Sequence, residues 1–352
     1  MKTKGFAAVL VSAFLLLCVL AGSAASAEGK VIVSIGDSYS SGEGNEPFYG
    51  QDAEMDQKCQ DPDWLAHRSE KSWPGKLILP GVDGPMKEHR GENWFFAAAS
   101  GAECKQLFLL TEEEIRAGKT AEQEKKYNRE GVAGTGLIPP QLDVFDVLDA
   151  KGLKADYVTI TIGGNDLGFK ELIGLALVRY FDAMPYETAE EKADVLWETY
   201  YTGKGIRQEI KRAYKDTAER AGSQACILVI GYPCLLTPGS ENEFFTEETM
   251  AVFQMMNAKL NRELQDIVEE CRGEGMNIRF ISVEEAFEGH GAYADEPWIN
   301  PLIFSPQDED LKGTVSVSAY SMHPNEAGIQ AYAECVQAEI DRLESEPAEN
   351  GR

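Results

Sequence analysis

Positive charge is scarce in this chain. Its 352 residues include 33 lysines and arginines against 59 aspartates and glutamates, which gives a formal net charge of −26 at pH 7. So acidic a surface repels nucleic acid and anionic bilayers at long range. Small or neutral molecules are therefore the expected partners, and nucleic acid is not. The same acidity would keep an exported protein soluble, so charge alone assigns no function.

The apolar run at the N-terminus is too short for a membrane span. It extends from Phe6 to Leu20, short of the ~20 residues that a transmembrane helix needs. Lys2 and Lys4 precede it and Ala-Ser-Ala follows at 25–27, which is the pattern of a cleavable secretory signal. Cys18 follows a leucine rather than a small residue, which argues against a lipid anchor. We predict that the signal peptide ends at residue 27 and that the protein is secreted without a stable membrane anchor.

The spacing of the cysteines argues against a zinc site. No two of them have C-x-x-C spacing, and none clusters with a histidine. The cysteines that remain after the signal peptide are even in number, which favours disulfides in an exported chain. Sequence order favours a pair between Cys59 and Cys104 and leaves the other pairings open. The candidates are Cys59, Cys104, Cys226, Cys234, Cys271 and Cys335.

The mature chain contains no linker or internal repeat, so we expect one domain over residues 28–352 with a frayed tail at 344–352. Short apolar runs alternate with segments long enough for helical crossovers. This pattern predicts an α/β fold, with a doubly wound, flavodoxin-like parallel sheet of five strands in an α/β/α sandwich. The predicted strands are Val31–Ile35, Trp94–Ala98, Tyr157–Ile162, Cys226–Ile230 and Ile278–Val283.

Two long amphipathic segments accompany the predicted sheet. Residues 167–222 are predicted to form a helical insertion directly after a strand end, either an additional packed helical pair or a lid over a site. Residues 246–272 are predicted to form one long helix. Its apolar positions recur every three or four residues and are expected to face the core. They are Met250, Phe253, Met256, Leu260, Leu264 and Ile267.

The most informative stretch follows the first predicted strand. Gly36-Asp37-Ser38 ends that strand and would deliver a hydroxyl to the rim of a parallel sheet, where ligands bind beyond the carboxyl ends of the strands. Ser38 is therefore the candidate nucleophile. Taken alone, the tripeptide fits an ordinary turn or a helix N-cap at least as well.

A serine nucleophile needs a base that takes its proton, and the chain has only four histidines. His323 lies in a loop at the same end of the predicted sheet, and Pro324 after it disfavours a helix there. His323 is our candidate base. His290 is its rival, although a structural role with a bond to the backbone is the preferred interpretation of His290. His67 lies among charged residues and is interpreted as a solvated surface histidine.

Two glycine-containing loops also follow predicted strands. They contain Gly101 and the segment Gly163-Gly164-Asn165-Asp166. Each could be an ordinary turn by composition. Because both loops lie at the same end of the predicted sheet as Ser38 and His323, a common site is favoured instead. Asp37 and Asp166 are interpreted as residues that cap and tie these loops.

In this order, the loops resemble the four blocks of the SGNH, or GDSL, hydrolases. The similarity extends from about Val31 to Cys335. Each block is weak alone, whereas four in order at strand ends make a specific pattern. The blocks are Gly36–Gly42, Gly101, Gly163–Asp166 and His323-Pro324, and further segments similar to the secreted bacterial lipase and esterase branch are Trp73-Pro74, Gly231-Tyr232-Pro233, Gly289-His290 and Pro297-Trp298-Ile299-Asn300.

The resemblance implies a secreted, monomeric serine hydrolase that cleaves small-molecule or lipid carboxylic esters and needs no metal or organic cofactor. Ser38 would attack the ester carbonyl, and His323 would accept its proton and pass it to the leaving alcohol. The main-chain N–H groups of Ser38 and Gly101 and the side-chain amide of Asn165 would form an oxyanion hole. A phospholipase or a carbohydrate (acetyl) esterase of the same mechanism is the first alternative. A non-catalytic binding protein on this scaffold is the second.

The chain departs from the family pattern next to the histidine. The superfamily usually has an aspartate three residues before it, and this chain has Tyr320 there. Either a distant acid such as Asp295 or Asp308 orients the ring, or a main-chain carbonyl does so. We favour the carbonyl of Tyr320, because members of the similar branch use a Ser-His dyad supported by a carbonyl. We therefore expect no acidic residue near His323 to matter as much as Ser38.

Overall fold

The computed structural model describes residues 29–51, 61–107, 138–306 and 315–346. The predicted signal peptide, Cys59, Asp308 and the end of the tail lie outside these ranges. Among the described residues, no helix combines the length and apolar character needed to cross a membrane.

A five-stranded parallel sheet forms the centre of the described chain. Its strand order is β2-β1-β3-β4-β5 with every pairing parallel, which is the order of doubly wound flavodoxin-like sheets. The fold class predicted from the sequence is therefore confirmed. The strands are β1 (Ile32–Gly36), β2 (Trp94–Phe96), β3 (Tyr157–Thr161), β4 (Cys226–Ile230) and β5 (Ile278–Ile281).

Helices connect the strands, and a short antiparallel ribbon precedes the last helix. The ribbon pairs β6 (Phe304–Pro306) with β7 (Val315–Val317). The α-helices of the described residues are α1 (Ser38–Ser41), α2 (Pro62–Leu65), α3 (Val144–Lys151), α4 (Gly164–Leu167), α5 (Phe169–Leu177), α6 (Tyr180–Ala183), α7 (Ala189–Tyr200), α8 (Ile206–Ala221), α9 (Glu247–Gly273) and α10 (Glu326–Ser345). Single 3₁₀ turns span Trp73–Lys76, Met86–His89, Cys104–Gln106, Gln141–Asp143 and Thr202–Lys204.

The central strands are apolar because both faces of the sheet are covered. Every residue of β1, β3 and β4 is buried. Strands buried on both faces give continuous β-branched runs rather than alternation, which is why the sequence revealed them. The buried polar residues of these strands are paired: the hydroxyl of Ser34 in β1 accepts hydrogen bonds from the indole of Trp94 and the hydroxyl of Thr159, both at 3.0 Å.

The long helix α9 packs its apolar stripe into the core. Thr246 caps it by accepting a hydrogen bond from the Thr249 N–H, and two glutamates in the first turn complement the helix dipole. All six apolar positions predicted to face the core are at most 3 % exposed, so that prediction is confirmed. Helices α5 to α8 occupy the segment 167–222, and a lid role for this segment stays a prediction.

The described cysteines do not form the predicted disulfides. Cys104, Cys226, Cys234, Cys271 and Cys335 are all free thiols. They lie on separate segments of the chain, and burial raises the pKa of each thiol. Cys59, the partner expected for Cys104, lies outside the described residues.

The last residue of β1 must be glycine. Gly36 has φ +124° and lies against β3, where a Cβ would stand 2.3 Å from the carbonyl oxygen of Thr161. Its own N–H and carbonyl are paired with the side-chain amide of Gln141 at 2.6 and 2.7 Å. This double hydrogen bond fixes the strand end that immediately precedes Asp37 and Ser38.

We expect Gly36→Ala to lower the free energy of unfolding by about 3–5 kcal/mol, because the left-handed backbone and the clash with β3 both oppose a methyl group. Urea denaturation followed by circular dichroism measures the loss. Gly222→Ala is the matched control, since Gly222 also has positive φ but an added Cβ meets nothing within 4 Å. It should lose only about 1–3 kcal/mol, the cost of its backbone conformation without a clash. Equal losses in the two variants would contradict this account.

Candidate active site

Ser38 is the first residue of the short helix α1, directly after β1. Asp37 caps the helix by accepting a hydrogen bond from the Tyr39 N–H at 3.0 Å. Its carboxylate also accepts hydrogen bonds from the hydroxyls of Thr161 on β3 and Tyr232 after β4. Three strand ends are thus joined at one carboxylate, and the capping role predicted for Asp37 is confirmed.

The Asp37 carboxyl is fully enclosed. Burial raises its pKa to about 6, although the hydrogen bonds from Tyr232, Thr161 and the Tyr39 N–H act in the opposite direction. A buried carboxylate with three donors is strongly held in place. Asp37 therefore fixes the start of the helix that carries Ser38.

The structure brings Ser38 and His323 together from positions 285 residues apart. The Oγ of Ser38 lies 2.7 Å from the Nε2 of His323. The Nδ1 of His323 lies 3.0 Å from the main-chain oxygen of Ser321. Because a carbonyl can only accept, Nδ1 carries the proton, and the lone pair of Nε2 faces the Ser38 hydroxyl. This is the hydrogen-bonding arrangement of a nucleophile and its base.

The carbonyl that orients the ring belongs to Ser321, whereas the sequence led us to Tyr320. Met322 has φ +59°, a left-handed conformation that folds the histidine ring back onto the carbonyl two residues before it. The carbonyl of Tyr320 instead accepts a hydrogen bond from the side chain of Asn300 at 3.3 Å. A main-chain carbonyl orients the ring, but it is the carbonyl of Ser321 and not that of Tyr320. Asp295 is not the partner of Nδ1.

The loop that carries His323 is fastened on two sides. The main chain of Asn300 bonds to the main chain of Met322 at 3.0 Å and of His323 at 2.8 Å. From the other side, the hydroxyl of Tyr39 donates to the carbonyl of Met322 at 2.8 Å. These contacts hold the left-handed turn at Met322 and so keep the imidazole over Ser38.

The environment of His323 favours the neutral imidazole. Burial lowers its pKa below the ordinary value of 6.5, although the negative charge of Glu43 and hydrogen bonds to the carbonyls of Ser321 and Ala319 raise it in part. A nearby histidine, His67, lowers it further. His323 is therefore unprotonated near neutral pH, which is the form that a general base needs.

The three predicted oxyanion donors lie around one pocket. Ser38, Gly101 and Asn165 all line it. Asn165 donates one amide hydrogen to the carbonyl of Ala102 at 2.9 Å, which orients its side chain. Asp166 accepts a hydrogen bond from the Cys104 N–H at 3.1 Å and ties the two loops together, as predicted.

The backbone conformation at position 101 explains the glycine there, and a lack of room for a side chain does not. The φ of Gly101 is +79°, and a Cβ there would meet nothing within 4 Å. The left-handed conformation explains the glycine, because other residues adopt it at a cost.

The pocket has a volume of about 610 Å³, within the range of small-molecule sites. Ser38 and His323 line it together with mainly apolar side chains from α5 and from the loops after β4 and β7. One exposed cation, Lys170, lies among them. The apolar lining residues are Phe169, Ile173, Leu177, Leu235, Val317 and Met322.

Of the other two histidines discussed above, His290 has the role that the sequence predicts and His67 does not. The Nδ1 of His290 lies 2.8 Å from the carbonyl of Glu296, and its ring stacks on Trp298 at 3.9 Å, so its predicted structural role is confirmed. The surface position predicted for His67 is wrong. Its Nδ1 lies 2.8 Å from the buried carboxylate of Glu43, and its ring stacks on Phe48.

Sequence reasoning missed three residues that shape the site. Tyr232 donates to Asp37 and accepts from the Gly164 N–H, Gln141 clamps Gly36, and Glu43 lies buried beside His67. Only Tyr232 gave a signal, as part of the family-like segment Gly231-Tyr232-Pro233. Within the described residues there is no group of three metal-ligating side chains that could hold a metal ion.

No protein-family model matches the chain. No curated protein is similar to it in sequence. Solved structures do match. The extracellular lipase from Streptomyces rimosus aligns with a TM-score of 0.52 and 20 % identity, over 88 % of this chain and 99 % of the lipase. Phospholipase A1 from Streptomyces albidoflavus NA297 aligns with a TM-score of 0.53 and 16 % identity, again over 88 % and 99 %. The chain therefore shares the fold of this lipase and this phospholipase A1.

Proposed function

We propose that the protein is a secreted serine hydrolase of the SGNH type that cleaves carboxylic esters. The observation that carries the proposal is the chain of contacts from the Ser38 hydroxyl to His323 Nε2 and from His323 Nδ1 to the Ser321 carbonyl. An idle binding protein would have no need of this alignment. The likeness in fold to a lipase and a phospholipase A1 supports the same conclusion.

In the proposed reaction, His323 takes the proton of Ser38 while Oγ attacks the ester carbonyl. The carbonyl oxygen becomes an oxyanion that accepts hydrogen bonds from the N–H groups of Ser38 and Gly101 and from the Asn165 amide. Each such donor contributes about 10²–10³-fold in rate. His323 then protonates the leaving alcohol as the carbon–oxygen bond breaks. Water, activated by the same histidine, hydrolyses the acyl-enzyme and restores Ser38.

The lining of the pocket favours an acyl ester over a sugar substrate. Phe169, Ile173, Leu177 and Leu235 would contact an alkyl chain, and burial of such a chain contributes about 0.8 kcal/mol per methylene. A lipase or esterase is therefore the first candidate. Carbohydrate esterase activity is a weaker candidate, although the polar side chains of Ser100, Asn257 and Ser318 also line the pocket.

Phospholipase activity is the second candidate because of Lys170. This exposed lysine lines the pocket of an otherwise strongly acidic protein. An ammonium group near the pocket could pair with the phosphate of a phospholipid, which neutral esters lack. The fold shared with phospholipase A1 from Streptomyces albidoflavus is consistent with this candidate.

Ser38→Ala is expected to lower ester hydrolysis by at least about 10³-fold, because the nucleophile is lost while the fold remains. His323→Ala should lose a similar amount. His290→Ala is its matched control and should retain activity, since its ring contacts the Glu296 carbonyl and Trp298 rather than Ser38. Labelling by an organophosphonate, read by mass spectrometry, should modify Ser38. Full activity in Ser38→Ala would exclude this mechanism.

The pH dependence of kcat/KM should follow the ionisation of His323. Because the pKa of His323 is lowered from 6.5, activity should be complete at neutral pH and fall only as the pH drops below that value. The profile of kcat/KM against pH, with a neutral ester, measures this limb directly. A limb centred above 6.5 would mean that another group controls the reaction.

A panel of substrates tested with the wild-type protein and one variant distinguishes the candidate substrate classes. Wild-type protein and Lys170→Met are compared on neutral esters of increasing acyl length, on phospholipids and on acetylated sugars. If the enzyme is a phospholipase, Lys170→Met should raise KM for phospholipids about tenfold, the effect of losing about 1.4 kcal/mol of ion pairing, and leave neutral esters unchanged. Equal effects on both classes would remove the case for phospholipids.

A further inference from the structure

In the proposed reaction His323 becomes a positively charged imidazolium. Its own loop offers this cation only a weak electrostatic partner. The Ser321 carbonyl that accepts from Nδ1 is neutral, and a carbonyl dipole stabilises an imidazolium less than a carboxylate does. The residue three positions before the histidine, Tyr320, carries no charge. A serine hydrolase built in this way would gain from negative charge supplied by another part of the chain.

Glu43 is a fully buried carboxylate in the loop that follows α1. Its side chain is 0 % exposed. Its main-chain N–H donates to the carbonyl of Ser38 at 3.1 Å, so Glu43 lies one turn beyond the nucleophile. Two residues later, the side chain of Asn45 donates to the carbonyl of Pro324 at 2.8 Å. The loop of Glu43 is therefore bonded to Ser38 and to Pro324, the residue that follows His323.

His67 holds the Glu43 carboxylate in place. Its Nδ1 lies 2.8 and 3.0 Å from the two carboxylate oxygens, and its side chain is 14 % exposed. The ring stacks on Phe48 with a centroid distance of 4.6 Å. The backbone of His67 has φ +48°, a conformation that is unfavourable for a non-glycine residue and that clusters at functional sites.

We propose that Glu43 supplies the negative charge that supports His323 during catalysis, and that His67 holds this carboxylate in place. The inference rests on the proposed hydrolase function. The charge of Glu43 stabilises the imidazolium of His323, whereas positive charge on His67 opposes it.

The other charged and titratable groups around His323 are less suited to this role. Tyr39 of α1 has its ring 5.2 Å from the imidazole and gives its hydroxyl to Met322. Lys170 of α5 has the wrong sign. Glu46, on the same loop as Glu43, is exposed and accepts a hydrogen bond from the Tyr320 hydroxyl. Because Glu43 is buried, water and salt screen its charge less than they screen the charges of the exposed Lys170 and Glu46. In agreement, the charge of Glu43 raises the pKa of His323 and that of His67 lowers it.

Two conservative variants should move the acidic limb of the profile of kcat/KM against pH in opposite directions. Glu43→Gln should shift it to lower pH by about one unit and reduce kcat about tenfold, because the imidazolium loses its stabilising charge. His67→Gln should shift it to higher pH by about half a unit, since the glutamine can still donate to Glu43 but carries no charge. A purely structural role for the pair would not produce opposite shifts.

The controls separate charge from general disturbance of the loop. Glu46→Gln removes an exposed carboxylate from the same loop, and His290→Gln removes a histidine remote from the site. Both should leave the limb unchanged. Thermal unfolding shows whether each variant is folded. If Glu43→Gln does not fold, His67→Gln still tests the proposal through the predicted upward shift.

An NMR titration of the His323 imidazole in the free protein gives a readout that needs no turnover, with the resonance identified by its loss in His323→Gln. The same opposite shifts are expected there. If wild-type protein hydrolyses no ester, the proposed function fails while the titration still reports on the coupling. If the enzyme is active but both variants titrate like wild type, or shift in the same direction, the role of Glu43 is excluded and the proposed function stands.

Discussion

The buried carboxylate of Asp37 is the constraint on which the rest of the site depends. It accepts hydrogen bonds from the backbone of α1, from Thr161 at the end of β3 and from Tyr232 after β4. Burying a carboxylate is unfavourable unless its oxygens are paired, so all three donors must be in place together. Their cooperation fixes the relative positions of strand ends that are far apart in the chain. Ser38 inherits a defined orientation from this arrangement without a strained side chain of its own.

The same principle explains how the last segment of the chain reaches the first. His323 approaches Ser38 only because the turn at Met322 adopts a left-handed backbone, and that turn is held by Tyr39 on one side and Asn300 on the other. Tyr39 is the neighbour of Ser38, so the helix that presents the hydroxyl also fastens the loop that presents the imidazole. Nucleophile and base are therefore positioned by one connected set of hydrogen bonds rather than by two independent loops.

The parts of the structure that the sequence predicted are those governed by local pattern. The strands were visible because burial on both faces demands apolar runs, and α9 because its apolar residues recur at helical spacing. The error at Tyr320 came from one backbone angle at Met322, a residue type with no preference for the left-handed region. The error at His67 has another origin, since neighbouring charges in the sequence do not reveal that its loop folds inward. The sequence does not reveal that the described cysteines are free thiols, because an even number of cysteines does not show which of them come close enough to pair. The roles of Ser38, His323, Gly101 and Asn165 in catalysis remain predictions.

A site with a neutral carbonyl behind its base raises the question of what balances the cation formed in the reaction. Charge acts over a longer range than a hydrogen bond, so the balancing group need not touch the imidazole and need not lie near it in sequence. Full burial of Glu43 makes this possible, because a carboxylate shielded from water keeps its field. Burial also requires a partner, and His67 supplies it. Because no aspartate precedes His323, the buried carboxylate that supports its imidazolium is one that also binds His67, so the two histidines compete for the same charge.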